Sequence, residues 1–268
     1  MAGNTKVLRQ RIKSVTSTLQ LTKAMGLIAS SKIYRANEAM KKAREYTAAF
    51  EDTIALLTSD PETAKSPFMT KRDGNRVRLI VIAGDRGLAG GYNANIFRLC
   101  REYPQAQIIP VGKRACDRFG GEVTSSERFS YADAAVLAQT LCEDFKNGEY
   151  DALGVVFTRY RSVLTQDADV KWLLPLTRRE DAPTVSAVFE PDHLTVLNLT
   201  VKEYVAGVIT ACAIESFACE VSARRTAMDS AEKNAKQMID DLSLEYNRAR
   251  QSAITQEITE IVAGSGSE

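Results

Sequence analysis

From Leu8 onward, alternating steps of four and three residues fall on Leu8, Ile12, Val15, Leu19, Thr22, Gly26, Ala29, Ile33, Ala36, Met40, Ala43, Thr47, Phe50, Ile54 and Leu57. No proline interrupts the run before Pro61, so nothing in it forces the backbone out of a helix. A seam of this period, held for about seven heptads, is that of a coiled coil rather than of a globular helix. The other end of the chain carries the same signal on Gly207, Thr210, Ile214, Phe217, Val221, Met228, Ala231, Ala235, Met238, Leu242, Ala249 and Ala253. Arg224 interrupts it once, and no proline follows Pro191. At 1.5 Å per residue, helices of about 55 and 60 residues extend for roughly 80–90 Å, more than a compact globule of this chain length encloses.

An amphipathic stripe has to be covered, and the charge distribution points to what covers it. Residues 1–45 hold ten Lys and Arg against two Glu, whereas residues 201–268 hold seven bases against eleven acids. The two ends attract each other if they lie side by side, and small seam residues such as Gly26, Ala29, Ala36, Ala231 and Ala235 let the axes approach closely. The expectation is an antiparallel pair with both termini at one far end. Pairing of each helix with a second copy of the chain satisfies the periodicity as well and stays open at this point. The basic, acid-poor start resembles a transit peptide, but the pattern continues beyond the usual length of one, and it reads as mature structure.

The middle of the chain has a different period. Pro61, Pro67 and Asp73-Gly74-Asn75 break the first helix, and the short apolar run Val77–Ala83 suits a buried strand. Further strands are expected at Gln107–Val111, Asp151–Phe157 and Val170–Leu174, and helices at Ala89–Tyr103, Lys113–Phe119 and Tyr131–Asn147. This alternation indicates an α/β sandwich with a partly parallel sheet. The fold class is therefore α/β: a long antiparallel coiled coil of N- and C-terminal helices plus a central Rossmann-like α/β domain. The expected domains are 1–60, 61–190 and 191–268.

Chemistry-bearing patterns are few. The turn Gly84-Asp85-Arg86-Gly87-Leu88-Ala89-Gly90-Gly91 lies between a strand and a helix, where glycine loops cradle phosphates. It matches neither the dinucleotide fingerprint nor the P-loop, and a structural turn or contact surface is the expected role. His193 is the only histidine and stands by a helix start with no nucleophile-elbow motif in the chain, so it reads as a surface residue. The five cysteines, Cys100, Cys116, Cys142, Cys212 and Cys219, include no Cys-x-x-Cys pair, which suits reduced thiols in the cytosol better than a disulfide framework or a metal site. The bases of the first helix share its length with the heptads, unlike a basic zipper, which keeps the two apart; acidic protein partners fit better than nucleic acid. No stretch approaches the roughly 20 uninterrupted apolar residues of a membrane span, so membrane association is expected only through a partner.

Particular strings now go beyond pattern. Arg11-Ile12-Lys13-Ser14-Val15, Leu21-Thr22-Lys23-Ala24-Met25 and Ala29-Ser30-Ser31-Lys32 resemble the N-terminal helix of the γ-subunit family of F-type, bacterial-like ATP synthases. Gly84–Asn93 is similar to that family's glycine-rich signature, and Phe157–Ser162 and Leu173–Leu176 to its central hairpin and the strand end that follows. Glu215–Glu220, Ala227–Asp229, Tyr246–Gln251 and Ile254–Val262 resemble its C-terminal helix. Gln20, Gly26, Ala89 and Tyr204–Val208 depart from the family pattern.

The resemblance implies a non-catalytic rotary shaft without a cofactor. It couples ion-driven rotation to ATP synthesis or hydrolysis at β-subunit sites, and lies peripherally on the cytoplasmic side of the cell membrane. Implied partners are the α and β subunits of the catalytic ring, the ε subunit and the c-ring of the membrane sector. Expected contacts with the α/β ring are Thr22, Lys23, Met25, Arg250, Gln251, Thr255 and Glu257. Gly87, Gly90, Gly91, Tyr92, Asn93 and Tyr204 are expected to contact the rotor and ε. Ile254, Ile258 and Ile261 are expected to pack the helix pair or face an apolar collar. A phosphate-binding enzyme and a self-associating coiled-coil scaffold are the competing function classes.

Overall fold

In a computed structural model of the chain, which describes residues 2–72, 74–178 and 189–265, the first helix, α1, runs unbroken over Ala2–Ser59. Every position of its seam from Leu8 to Leu57 is buried or half-buried, while Leu21, Leu27 and Ile28, off the seam, are exposed. The last helix, α5, spans His193–Ser265. The chain divides into two compact units, one of Met1–Ala29 with Arg225–Glu268, the other of Ser30–Arg224.

The first unit is an antiparallel helix pair. The Arg225 guanidinium donates to the Gly26 carbonyl oxygen at 3.1 Å. A Cβ on Gly26 would stand 3.5 Å from that of Met228, so the small residue sets the close approach foreseen from the seam. Toward the C-terminus the seam shifts. Met238 is 51% exposed, whereas Ile239, Leu242, Tyr246, Ala249 and Ala253 are half-buried. After Ala235 the apolar step is therefore four then three, not three then four, which moves the contact from Met238 to Ile239.

The second unit is built on a four-stranded sheet of order β2-β1-β3-β4: β1 (Val77–Ile82), β2 (Gln107–Val111), β3 (Ala152–Tyr160) and β4 (Gln166–Leu174). The strands β2 and β3 pair parallel with β1, and β4 pairs antiparallel with β3 as a hairpin. Alternate side chains serve two cores. Leu79, Val81 and Val156 pack against Ile96 and Cys100 of α2 (Tyr92–Cys100) and Ala115 of α3 (Lys113–Phe119). On the opposite face Ile80, Ile82, Val155 and Phe157 meet Leu141 and Phe145 of α4 (Tyr131–Lys146), Ile54 and Leu57 of α1, and Val205 and Ile209 of α5. The first part of α5 is thus buried around most of its circumference. It contains an 18-residue window of mean hydropathy 1.5, long and apolar enough by composition to cross a membrane, but 78% of that window is buried inside the fold; it serves as a core helix.

Local signals fix the joints. Asp60 ends α1 and accepts from the Glu62 amide at 2.8 Å, with Pro61 opening a 3₁₀ turn. Ser130 and Asp133 form a reciprocal capping box at the start of α4, satisfying two amides that the helix leaves open. His193, expected on the surface, is half-buried: its Nδ1 lies 3.1 Å from Asp60 and its ring meets Phe189 edge-on. All five cysteines are free and buried.

The seam makes a stability prediction. Leu57, fully buried, should cost about 2–5 kcal/mol on replacement by alanine. Leu21→Ala, at a position 64% exposed, should change stability by less than about 0.5 kcal/mol. Urea denaturation of the two variants checks it, and equal losses would mean that the seam lies elsewhere on α1.

Candidate functional site

Beyond Ile82 the chain turns through the glycine-rich segment into α2, and the turn is held from within. The Gly84 amide donates to Asn93 Oδ1 at 2.9 Å, and Asn93 Nδ2 donates to the Arg86 carbonyl at 3.3 Å. The Tyr92 amide closes on the Ala89 carbonyl at 3.2 Å. These amides are committed to the turn itself, unlike those of a phosphate cradle, which point at the ligand. Asp85 reaches outward to the start of α3 and the segment after it, accepting from the amides of Lys113, Ser126 and Glu127 and from the hydroxyl of Ser125. Burial pushes its carboxyl up, but the hydrogen bonds from Ser125, Ser126, Lys113 and Glu127 outweigh that and leave it below the ordinary range.

Two glycines are required by space. A Cβ on Gly84 would lie 2.7 Å from the Glu220 carboxyl carbon, and one on Gly112 would lie 2.0 Å from the Ala83 carbonyl oxygen. Glu220, on α5 beneath the turn, is buried and paired with Arg224, one helical turn on. Arg224 Nη2 also donates to the Gly87 carbonyl at 3.3 Å. This explains the interruption of the C-terminal seam: at Arg224 the helix face is met by a polar loop, not by an apolar stripe. The pair was not foreseen as functional; the charged residue on the seam was its one trace in the sequence.

Among the expected contacts, Gly90 and Gly91 are exposed and Gly87 and Asn93 half-buried in this turn, with Leu88 at φ +59° presenting an exposed side chain beside them. Tyr92 and Tyr204 are different, being 5% and 8% exposed. Tyr204 belongs to the core under α4 and α1. The Tyr92 hydroxyl is raised well above its ordinary pKa by burial and by the nearby Glu220. Tyr92 packs with Ala89 and Cys219 under the turn, whereas Tyr204 lies in the main core away from it.

The residues expected to meet the α/β ring all lie on the helix pair. Thr22 and Met25 are half-buried, and Lys23, Arg250, Gln251, Thr255 and Glu257 are exposed. The hydroxyls of Thr22 and Thr255 are turned back onto their own helix, to Leu19 O at 3.0 Å and Gln251 O at 2.9 Å. With Gly26 against Arg225 and Met228, position 22 lies opposite about residue 230, so the two groups are separated by roughly 30 Å of helix. The same register leaves α5 without α1 beside it from about residue 252 onward. Ile254, Ile258, Ile261 and Val262 are accordingly 46%, 56%, 71% and 63% exposed: of the two roles expected for the isoleucines, packing the pair is not the one they have.

Residues 4–267 match a family model described as ATP synthase. The chain is 37% identical over 297 residues to the sodium ion specific ATP synthase gamma chain of Acetobacterium woodii, covering 98% of both. It is 39% identical over 281 residues to the ATP synthase gamma chain of Ruminococcus albus, again covering 98% of each. The chain belongs to the ATP synthase γ family. Its fold matches a chain in a Euglena gracilis mitochondrial ATP synthase structure, containing OSCP, F1 and the c-ring, with a TM-score of 0.69 at 16% identity. That match covers 99% of this chain and 95% of the other. A chain of the Tetrahymena thermophila mitochondrial central stalk and c-ring matches with a TM-score of 0.63 at 19% identity, covering 79% and 99%. The chain is thus a γ chain of the ATP synthase complex and a non-catalytic subunit of it.

Two outcomes test the turn. Arg224→Ala leaves the Glu220 carboxylate buried without its partner and should cost about 3–5 kcal/mol, most of it recovered when Glu220→Leu is combined with Arg224→Met. Asp85, with its folded-state pKa below the ordinary 3.8, contributes stability that is complete above that value and is lost as the pH falls through the lower folded one. The stability gap between the wild type and Asp85→Asn, measured in urea from pH 7 downward, should stay constant and then close below pH 3.8.

Proposed function

We propose that the end of α5 is the part of this γ subunit that a surrounding ring of α and β subunits grips, with Thr22, Lys23 and Met25 as a second contact zone. The observation that carries this reading is the exposed terminal run of α5, where Ile254, Ile258 and Ile261 stand bare next to Arg250, Gln251, Thr255 and Glu257. These three isoleucines, with the exposed Val262, fit an apolar collar, and the polar groups among them can form directed bonds that differ between β conformations. Differential contact of that kind shifts open and closed states, and by reciprocity hydrolysis in β pushes back on the shaft.

At the globular unit, Gly87, Gly90, Gly91 and Asn93 form the proposed surface toward the ε subunit and the c-ring, with Leu88 among them. Tyr92 and Tyr204 are left out because they are buried. The chain then works peripherally on the cytoplasmic side of the membrane, attached through the c-ring. The self-associating scaffold loses its main support, since the antiparallel partner of α1 is α5 of the same chain.

Replacing Arg250 and Gln251 together by alanine should leave the isolated chain folded, as both side chains are exposed. It should slow ATP hydrolysis by a reconstituted α, β and γ complex. Contacts made only in the rate-limiting state contribute about 1–3 kcal/mol each when charged. Wild-type assembly yield with unchanged hydrolysis and torque would refute this contact zone. The isolated chain itself should neither bind ATP at micromolar concentration nor hydrolyse it.

A further inference from the structure

The strand β3 runs to Tyr160, but its parallel neighbour β1 accompanies it only as far as Val156. Past that point one edge of β3 has no strand to pair with, and it is buried: Thr158 is 3% exposed. Its backbone groups go instead to side chains on one face of α5. The Thr158 amide donates to Ser216 Oγ at 3.1 Å, Cys219 Sγ donates to the Thr158 carbonyl at 3.3 Å, and the Tyr160 amide donates to Glu215 Oε1 at 2.8 Å. Arg44 of α1 completes the set, with Nη2 donating to Glu215 Oε1 at 2.7 Å and to the Tyr160 carbonyl at 2.8 Å, and Nε donating to Glu215 Oε2 at 3.3 Å. The carboxylate of Glu215 therefore joins α1, α5 and β3 at one point, and Glu215, Ser216 and Cys219 take the place of the missing strand.

We infer that this node is the key that locks the shaft helices to the sheet, and that Glu215 is a positioning residue for rotary coupling. Apolar packing alone resists separation of a helix from a sheet, but a twist or a one-turn slide exchanges one set of apolar contacts for another. Bonds from residues 215, 216 and 219 to fixed backbone atoms of the strand have no equivalent after a rotation of about 100° or a slide of about 5.4 Å. Buried backbone groups left unpaired in the slipped state oppose the slip. Torque carried along α1 and α5 is passed to the sheet through these bonds. The inference rests on the shaft function and adds the place where this γ subunit's helices are keyed to its globular unit.

The test uses the complete ATP synthase in vesicles, carrying Glu215→Gln or Glu215→Leu, with ions transported per ATP hydrolysed as the readout. Glu215→Gln keeps an acceptor for the Tyr160 amide and loses the charge toward Arg44; Glu215→Leu loses both. Hydrolysis by the detached α, β and γ complex should stay at the wild-type rate and ATP KM in both variants, because the node includes none of the proposed ring contacts. Ion transport per ATP should fall roughly twofold or more in Glu215→Leu and less in Glu215→Gln. If Glu215→Leu does not assemble, Glu215→Gln carries the test, and a transport ratio equal to the wild type in the assembled variant overturns the key. A wild-type chain that supports no ion transport would instead overturn the shaft function itself.

Discussion

The stripe on α1 has to be buried along its whole length, and that requirement organises both units. In proteins most helical stability comes from covering the amphipathic face rather than from propensity. The same 3.5-residue period is covered by two different kinds of structure. From Leu8 to Ala29 it faces α5 in a two-helix pair, where Gly26 and the Arg225 bond fix the spacing. From Ile33 to Leu57 it becomes part of a layered core, ending on Ile54 and Leu57 against the sheet. A fully buried side chain of this size contributes about 1.5–3 kcal/mol, so the stripe contributes most in the layered part, where Leu57, Val205 and Ile209 are completely covered.

Where apolar cover gives way to polar groups, each substitution has a backbone reason. Arg224 interrupts the seam beneath the Gly87 carbonyl, and Glu220 sits where Gly84 leaves room for a carboxylate. Glu215, Ser216 and Cys219 stand where β3 has outrun β1. A buried amide or carbonyl without a partner is costly enough that the ragged edge of a short sheet has to be finished by something. Here α5, already packed across the sheet, does so. The polar residues of α5 between 215 and 224 thus belong to the sheet and its loop as much as to the helix.

Period and punctuation made the elements legible. Val77, Gln107, Lys113 and Tyr131 start the elements that the apolar pattern predicts, because proline, glycine and the Ser130 cap mark those joints without reference to the rest of the chain. The slip at Met238 arose because Met238 and Ile239 are both apolar, and only the position of α1 decides which of them is covered. The burial of Tyr92 and Tyr204 was hidden for a related reason: a tyrosine beside a glycine turn or on a long helix has the same letters whether it faces inward or out. The node at Glu215 was invisible because it depends on where β1 stops relative to β3, a long-range fact that no local pattern carries. The proposed contact residues at the end of α5 are exposed polar groups in the isolated chain, and only a partner's geometry distinguishes such a face from a solvated one.

A shaft inside a ring of alternating subunits acts only through differences, because an axle that met every catalytic subunit identically would bind without shifting any of them. A parallel coiled coil of two identical helices would have a twofold axis along its length and would present the same face twice per turn. The pair here is made of two unlike helices. The outer face of α1 offers Leu21, Leu27 and Ile28, that of α5 offers Met238 and Leu244, and the charge balance changes sign between them. Beyond about residue 252 one helix continues alone. The intramolecular, antiparallel pairing therefore does more than cover two stripes: it removes the symmetry that pairing of identical helices would impose. A rod with no repeated face is what allows one angular position to favour one state in one subunit and a different state in the next.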